Sequence, residues 1–89
     1  MVNFQFDPTK AKSNKKKHDV SFADAEGIFY DPLALHQQDI DYEDEERFVA
    51  IGMGNAGMVV VVVYTRRGKE IRLISARRAT RREVKQYES

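Results

Sequence analysis

The spacing of apolar positions changes along the chain, and each change marks an element. Val2, Phe4 and Phe6 alternate with Asn3 and Gln5, the period of a half-buried strand. Asp7-Pro8 then sets a capping acid before a proline at the first helical position, which predicts a helix from Pro8 to about His18. Ala11 is its one apolar residue amid five lysines, so this helix packs weakly and lies on the surface. Ser21 and Asp24 have the spacing of a capping box, and Phe22, Ala25, Ile28 and Phe29 recur at helical spacing until Asp31-Pro32 stops the run. Leu33, Leu35 and Gln37 alternate as a strand would. The segment Asp39 to Glu46 holds six acids in eight residues. It lacks the spacing and terminal bidentate Glu of a calcium loop, and reads as a solvated connection.

Arg47 to Met53 alternates as a strand, with Val49, Ile51 and Met53 on one face. Gly54 to Gly57 is a tight connection to the run Met58 to Thr65, which is apolar at both parities and therefore central in its sheet. A turn, Arg66-Arg67-Gly68-Lys69, leads to a strand from Glu70 to Ser75, in which Arg72 shares a face with Glu70 and Ile74. Thr80 and Glu83 form a capping box for a last helix reaching about Glu88, with Val84 and Tyr87 available for packing. This order predicts an α+β fold: a single antiparallel sheet with N-terminal helices and a C-terminal helix, the helices mainly on one side. Residues 1–89 suffice for one domain and one core.

Composition narrows the chemistry. There is no cysteine, so disulfides and thiolate chemistry are excluded, and no cofactor or metal site is expected. The longest apolar run, Met58 to Tyr64, is far below the ~20 residues of a bilayer helix, so no membrane role is expected and the cytoplasm is the default compartment. The net charge of +1 conceals segregation: residues 1–18 carry +4, residues 19–46 carry −10 and residues 47–89 carry +7. Solvation of separate elements would account for such blocks, as would a basic face for an anion. Arg66, Arg67, Arg72, Arg77, Arg78, Arg81 and Arg82 crowd one hairpin and its exit. Planar, always-charged donors at that density suggest a phosphate partner, with RNA the first candidate.

Cleavage of RNA by such residues would proceed without metal, through attack of the 2′-hydroxyl on the adjacent phosphate, and needs a base, an acid and cations. Arg77 and Arg78, placed just beyond the strand end, and Arg47, opening a neighbouring strand, are the candidate cations. His18, Tyr64 and Glu70 are the candidates for proton transfer. Each has a bland alternative: His18 and the lysines before it complement the negative end of the helix dipole, Tyr64 is a core tyrosine, and Arg72 meets a cross-strand carboxylate. Lys16, Lys17, Arg66, Arg72 and Arg81 are the candidate RNA-binding residues. His36 has no evident partner in the sequence.

FQFDPTKAKSNKKKHDVSF, the Asp31-Pro32-Leu33 turn, EERFVAIG and VVVYTRRGKEIRLISARRATRREVKQYE, in this order and spacing, resemble the BrnT toxins of bacterial type II toxin–antitoxin systems. The resemblance implies a small RelE-like fold, endoribonuclease activity on mRNA that arrests translation, RNA as substrate either free or on the ribosome, and neutralisation by a BrnA-type antitoxin. It implies DNA contact only indirectly, through the antitoxin complex. It also places His18 in a recurring Lys-His motif. The chain departs from the family pattern in having Phe6-Asp7 where relatives have Trp-Asp, and Asp19 where they have Gly after the Lys-His. Glycine suits a left-handed helix end better than Asp. Two readings from other classes compete with an enzyme: a module that binds RNA or ribosome without cutting, and a structural domain whose arginines dock an acidic antitoxin segment.

Overall fold

The computed structural model describes residues 3–39 and 46–89. Val2 and most of the acidic connection expected from Asp39 to Glu46 therefore lie outside the described residues. Five strands, β1 (Asn3–Gln5), β2 (Leu35–Gln38), β3 (Arg47–Met53), β4 (Val59–Arg67) and β5 (Glu70–Arg78), form one sheet in the order β1-β5-β4-β3-β2. The helices are α1 (Pro8–His18), α2 (Phe22–Ala25), which tightens into a 3-10 turn over Glu26–Tyr30, and α3 (Arg81–Glu88).

Local signals set most boundaries. Asp7 Oδ1 accepts from Thr9 N–H at 2.8 Å to start α1, and Ser21 Oγ accepts from Asp24 N–H at 3.0 Å to start α2. At the other end of α1, Asp19 takes the left-handed conformation, φ 57°, where relatives were expected to carry Gly. The Thr80–Glu83 box is complete, with both reciprocal bonds made. Gly68, φ 57°, is the first of two residues joining β4 to β5, the position where primed hairpin turns favour glycine.

Strands β2 to β5 are antiparallel neighbours, as expected, but β1 runs parallel to β5. The sheet is mixed. Only hairpin-linked strands must reverse, and β1 reaches the far edge of the sheet from a remote part of the sequence.

The core lies between one sheet face and the N-terminal helices. Phe22, Ala25 and Ile28 pack there with Ala50, Val60, Val62, Tyr64, Ile71, Leu73 and Ala76. Complete burial of residues such as Ile28 or Val60, both 0% exposed, contributes about 1.5–3 kcal/mol each. On β3 it is Phe48, Ala50 and Gly52 that face this layer, opposite Tyr64, Val62 and Val60, and not the Val49, Ile51, Met53 set. Small residues are needed because the 3-10 turn comes close: a Cβ on Gly52 would stand 2.8 Å from Ala34 Cβ and 3.2 Å from Ile28 Cβ. The second face, carrying Val61 (3% exposed), explains why the valine run is apolar at both parities.

Two features of β5 differ from the sequence reading. The strand continues to Arg78, because the nine-residue β4 supplies partners as far as Val60, so Arg77 and Arg78 lie within the ladder and not beyond it. A register shift at Val63/Tyr64 makes Ser75 pair with Val63 and Leu73 with Tyr64, leaving Ile74 as the extra residue. Arg72 consequently shares its face with Ser75 and Arg77 instead of Ile74. Beyond the end of β1, Asn14 of α1 acts as a surrogate partner for β5: its Nδ2 donates to Ala76 O at 2.8 Å, and Ala76 N–H donates to its Oδ1 at 3.0 Å. Among the described residues no helix is long and apolar enough to cross a membrane.

Candidate functional site

Register across four strands builds the most distinctive polar feature. Gln5 of β1 pairs with Arg72 of β5, Arg72 with Thr65 of β4, and Thr65 with Arg47 of β3. The row runs across the face opposite the N-terminal helices. The next row adds Arg67, paired with Glu70. Together Gln5, Thr65, Arg67, Glu70 and Arg72 line a depression of about 130 Å³. Thr65 is 5% exposed at its floor, while Arg67, Glu70 and Arg72 are exposed around it. Among the described residues neither Arg67 nor Arg72 takes part in a salt bridge. Guanidiniums without internal partners beside a concavity are available to an anion, and among the described residues the cleft also holds a carboxylate, Glu70, that can accept a proton.

The other candidates are distributed elsewhere. Arg77 points to the same face but is held by Glu83 of α3 in a bidentate pair, Nη1–Oε1 2.8 Å and Nη2–Oε2 2.9 Å. That bond above all, with help from Thr80 N–H against the cost of burial, pulls the Glu83 carboxyl down to about 2. Arg78 lies on the opposite parity, 3.5 Å from Asp19, which is also bound by Lys15 at 3.0 Å. Those contacts, with the Lys15 hydrogen bond foremost, keep the Asp19 carboxyl below its ordinary value.

Tyr64 faces the core, away from the arginine row. Its hydroxyl is 2.8 Å from His36 Nδ1, and its ring is stacked 5.3 Å from Phe48 and edge-on 4.9 Å from Phe29. Burial raises the Tyr64 hydroxyl pKa, partly offset by Arg66, and burial lowers that of His36, so burial favours the neutral form of both. His18 and Lys17 stand at the end of α1 beside Ile74 and Ser75, Lys16 is exposed on α1, Arg66 is exposed at the hairpin end and Arg81 is exposed on α3. The structure thus brings together Arg47 and Arg72, and separately Lys17 and His18, but not Tyr64 or Arg78 with either.

Thr65, Gln5 and Arg67 were not among the expected site residues, and His36 had no assigned partner. The short hairpins at Gly54–Gly57 and Gly68–Lys69 would have revealed Thr65, since they set Arg47 and Arg72 opposite it. Gln5 carries no such signal, because β1 joins β5 by a non-local parallel pairing. Among the described residues no three His, Asp or Glu side chains gather as a metal site.

A model of the family described as "Ribonuclease toxin, BrnT, of type II toxin-antitoxin system" matches residues 6–83. The chain belongs to that family. The crystal structure of the Brucella abortus ribonuclease toxin BrnT is similar in fold, with a TM-score of 0.68 at 24% identity over 91% of this chain and 100% of that one. No curated protein matches the chain. Membership of the BrnT family makes the chain a ribonuclease toxin of a type II toxin–antitoxin system, with an antitoxin as partner and RNA as substrate. The arginine row lies wholly inside the matched span apart from Gln5.

Proposed function

We propose that the chain is a metal-independent endoribonuclease that cleaves mRNA in the cytoplasm and is neutralised by a BrnA-type antitoxin, touching DNA only through that complex. The observation that carries the catalytic part is the Gln5–Arg72–Thr65–Arg47 row on the open sheet face, with Arg67 and Glu70 beside it. In this reading the scissile phosphate sits over Thr65. Glu70 takes the proton of the 2′-hydroxyl, O2′ bonds to phosphorus, the P–O5′ bond breaks, and the leaving O5′ takes a proton from water at the open mouth. Arg47, Arg67 and Arg72 stabilise the charge that develops on the phosphorane oxygens, the role that a metal ion would otherwise fill. Strand-borne guanidiniums suit this role because the ladder fixes their origins. Arg77 acts here through its bond to Glu83, which seats α3 against the sheet, and Tyr64 is a core residue.

End-labelled RNA incubated with the purified protein and EDTA tests the reading: fragments ending in 2′,3′-cyclic phosphate are expected. Arg72→Ala and Arg47→Ala should each slow cleavage roughly 10²-fold or more while keeping the native circular dichroism spectrum. Binding without fragments would mean a module that holds RNA or ribosome without cutting, and cleavage at full rate by both variants would place the chemistry elsewhere.

A further inference from the structure

A second concavity, of about 190 Å³, lies between α1 and β5, walled by Lys10, Ser13, Lys17 and His18 on one side and Ile74 and Ser75 on the other. We propose that this groove binds the phosphodiester backbone of single-stranded RNA as a continuation of the Arg72 cleft, so that one strand is held at two points along β5. The proposal rests on the cleft being an RNA site. α1 stands at the edge of β5, where Asn14 bonds Ala76, and the strand wall of the groove shares the cleft's side of β5, because Ser75 pairs with Val63 and Arg72 with Thr65, two residues of equal parity on β4. Ser75 is three positions along β5 from Arg72, ~10 Å at a rise of about 3.3 Å per residue. The extra residue at Ile74 both turns Ser75 to that side and brings an apolar side chain into the groove, where a sugar or base can lie.

Lys10, Ser13 and Lys17 occupy one stripe of α1, and Lys10 and Lys17 are two helical turns apart, ~10.5 Å at 1.5 Å per residue. They can therefore meet two phosphates of one strand. Among the described residues neither lysine is in a salt bridge, and no carboxylate lines the groove. The nearby acid, Asp19, is already occupied by Lys15 and Arg78. The groove is also rigid, since the buried Asn14 bolts α1 to Ala76 and, at 2.9 Å, to Val20 O. A preformed cationic channel loses little entropy when the strand enters.

Non-cleavable 2′-O-methyl RNA separates binding from catalysis. Fluorescence anisotropy is measured with a dinucleotide, which can fill only the cleft, and an octanucleotide, which can fill both. Lys10→Ala/Lys17→Ala should reduce the advantage of the octanucleotide over the dinucleotide roughly tenfold and flatten its salt dependence by about 1.4, at about 0.7 per lost phosphate contact. Ser75→Glu, from the strand wall, should act in the same direction, whereas Arg72→Ala should weaken both probes. An octanucleotide advantage and salt slope unchanged in both groove variants would overturn the proposal. So would competition by oligoglutamate at the potency of RNA of equal charge, which would assign the groove to an acidic protein segment. Groove-dependent binding by a protein that yields no fragments would leave this subsite standing and sink the ribonuclease assignment.

Discussion

Replacing Glu83 by Gln tests the bond that seats α3. The carboxylate takes two hydrogen bonds from Arg77 at 2.8 and 2.9 Å and one from Thr80 N–H at 2.8 Å. Gln keeps the capping acceptor and loses the charge. The fall of the Glu83 pKa from 4.5 to about 2 corresponds to roughly 3.4 kcal/mol at 1.36 kcal/mol per unit. Because the Arg77 side chain is 41% exposed, solvent screening reduces this to about 1–2 kcal/mol. For a domain of this size that is a melting midpoint lower by roughly 5–15 °C. The folded pKa is depressed, so the stabilisation is present above the unfolded value of 4.5 and is lost as pH falls through about 2. At pH 3 roughly two-fifths should remain. Thermal melts of both proteins by circular dichroism at pH 7 and pH 3 give the comparison. A difference below about 0.5 kcal/mol at pH 7 would mean that the pair is no more than an ordinary surface salt bridge. A difference of the same size at both pH values would show that Glu83 does not titrate as argued.

Gly52→Ala should cost about 1–3 kcal/mol in urea denaturation, because its methyl would meet Ala34 and Ile28 in a packed layer; a neutral substitution would mean that the 3-10 turn yields easily. Tyr64→Phe should lose about 1 kcal/mol with the His36 bond yet cleave RNA at the parental rate, and loss of cleavage in a folded variant would return Tyr64 to the active site. Asp19→Gly should raise the melting temperature, since the left-handed position favours glycine and the two ion pairs it forfeits are exposed; a lower midpoint would show that the Lys15 and Arg78 contacts outweigh the backbone strain.

Capping pairs, turn residues and apolar period determined where elements begin and end. Asp7-Pro8, Thr80 with Glu83, and the glycines at 54, 57 and 68 act through neighbours a few residues away, so α1, α3, β3 and the two hairpins could be read along the chain. The same locality set Arg47 and Arg72 near one another, through two hairpins that share β4. The tertiary structure alone decided which way side chains face once distant segments meet. An extra residue at Ile74 shifts Arg77 onto the cleft side, where Glu83 binds it, and Ala76 into the core, where Asn14 closes the strand edge. β1 brings Gln5 beside Arg72 by a parallel pairing that no turn announces, and His36 reaches Tyr64 from the far side of β3. The reason is that a one-residue change of register reverses every side chain beyond it, and register between segments remote in sequence is set by packing of the whole sheet.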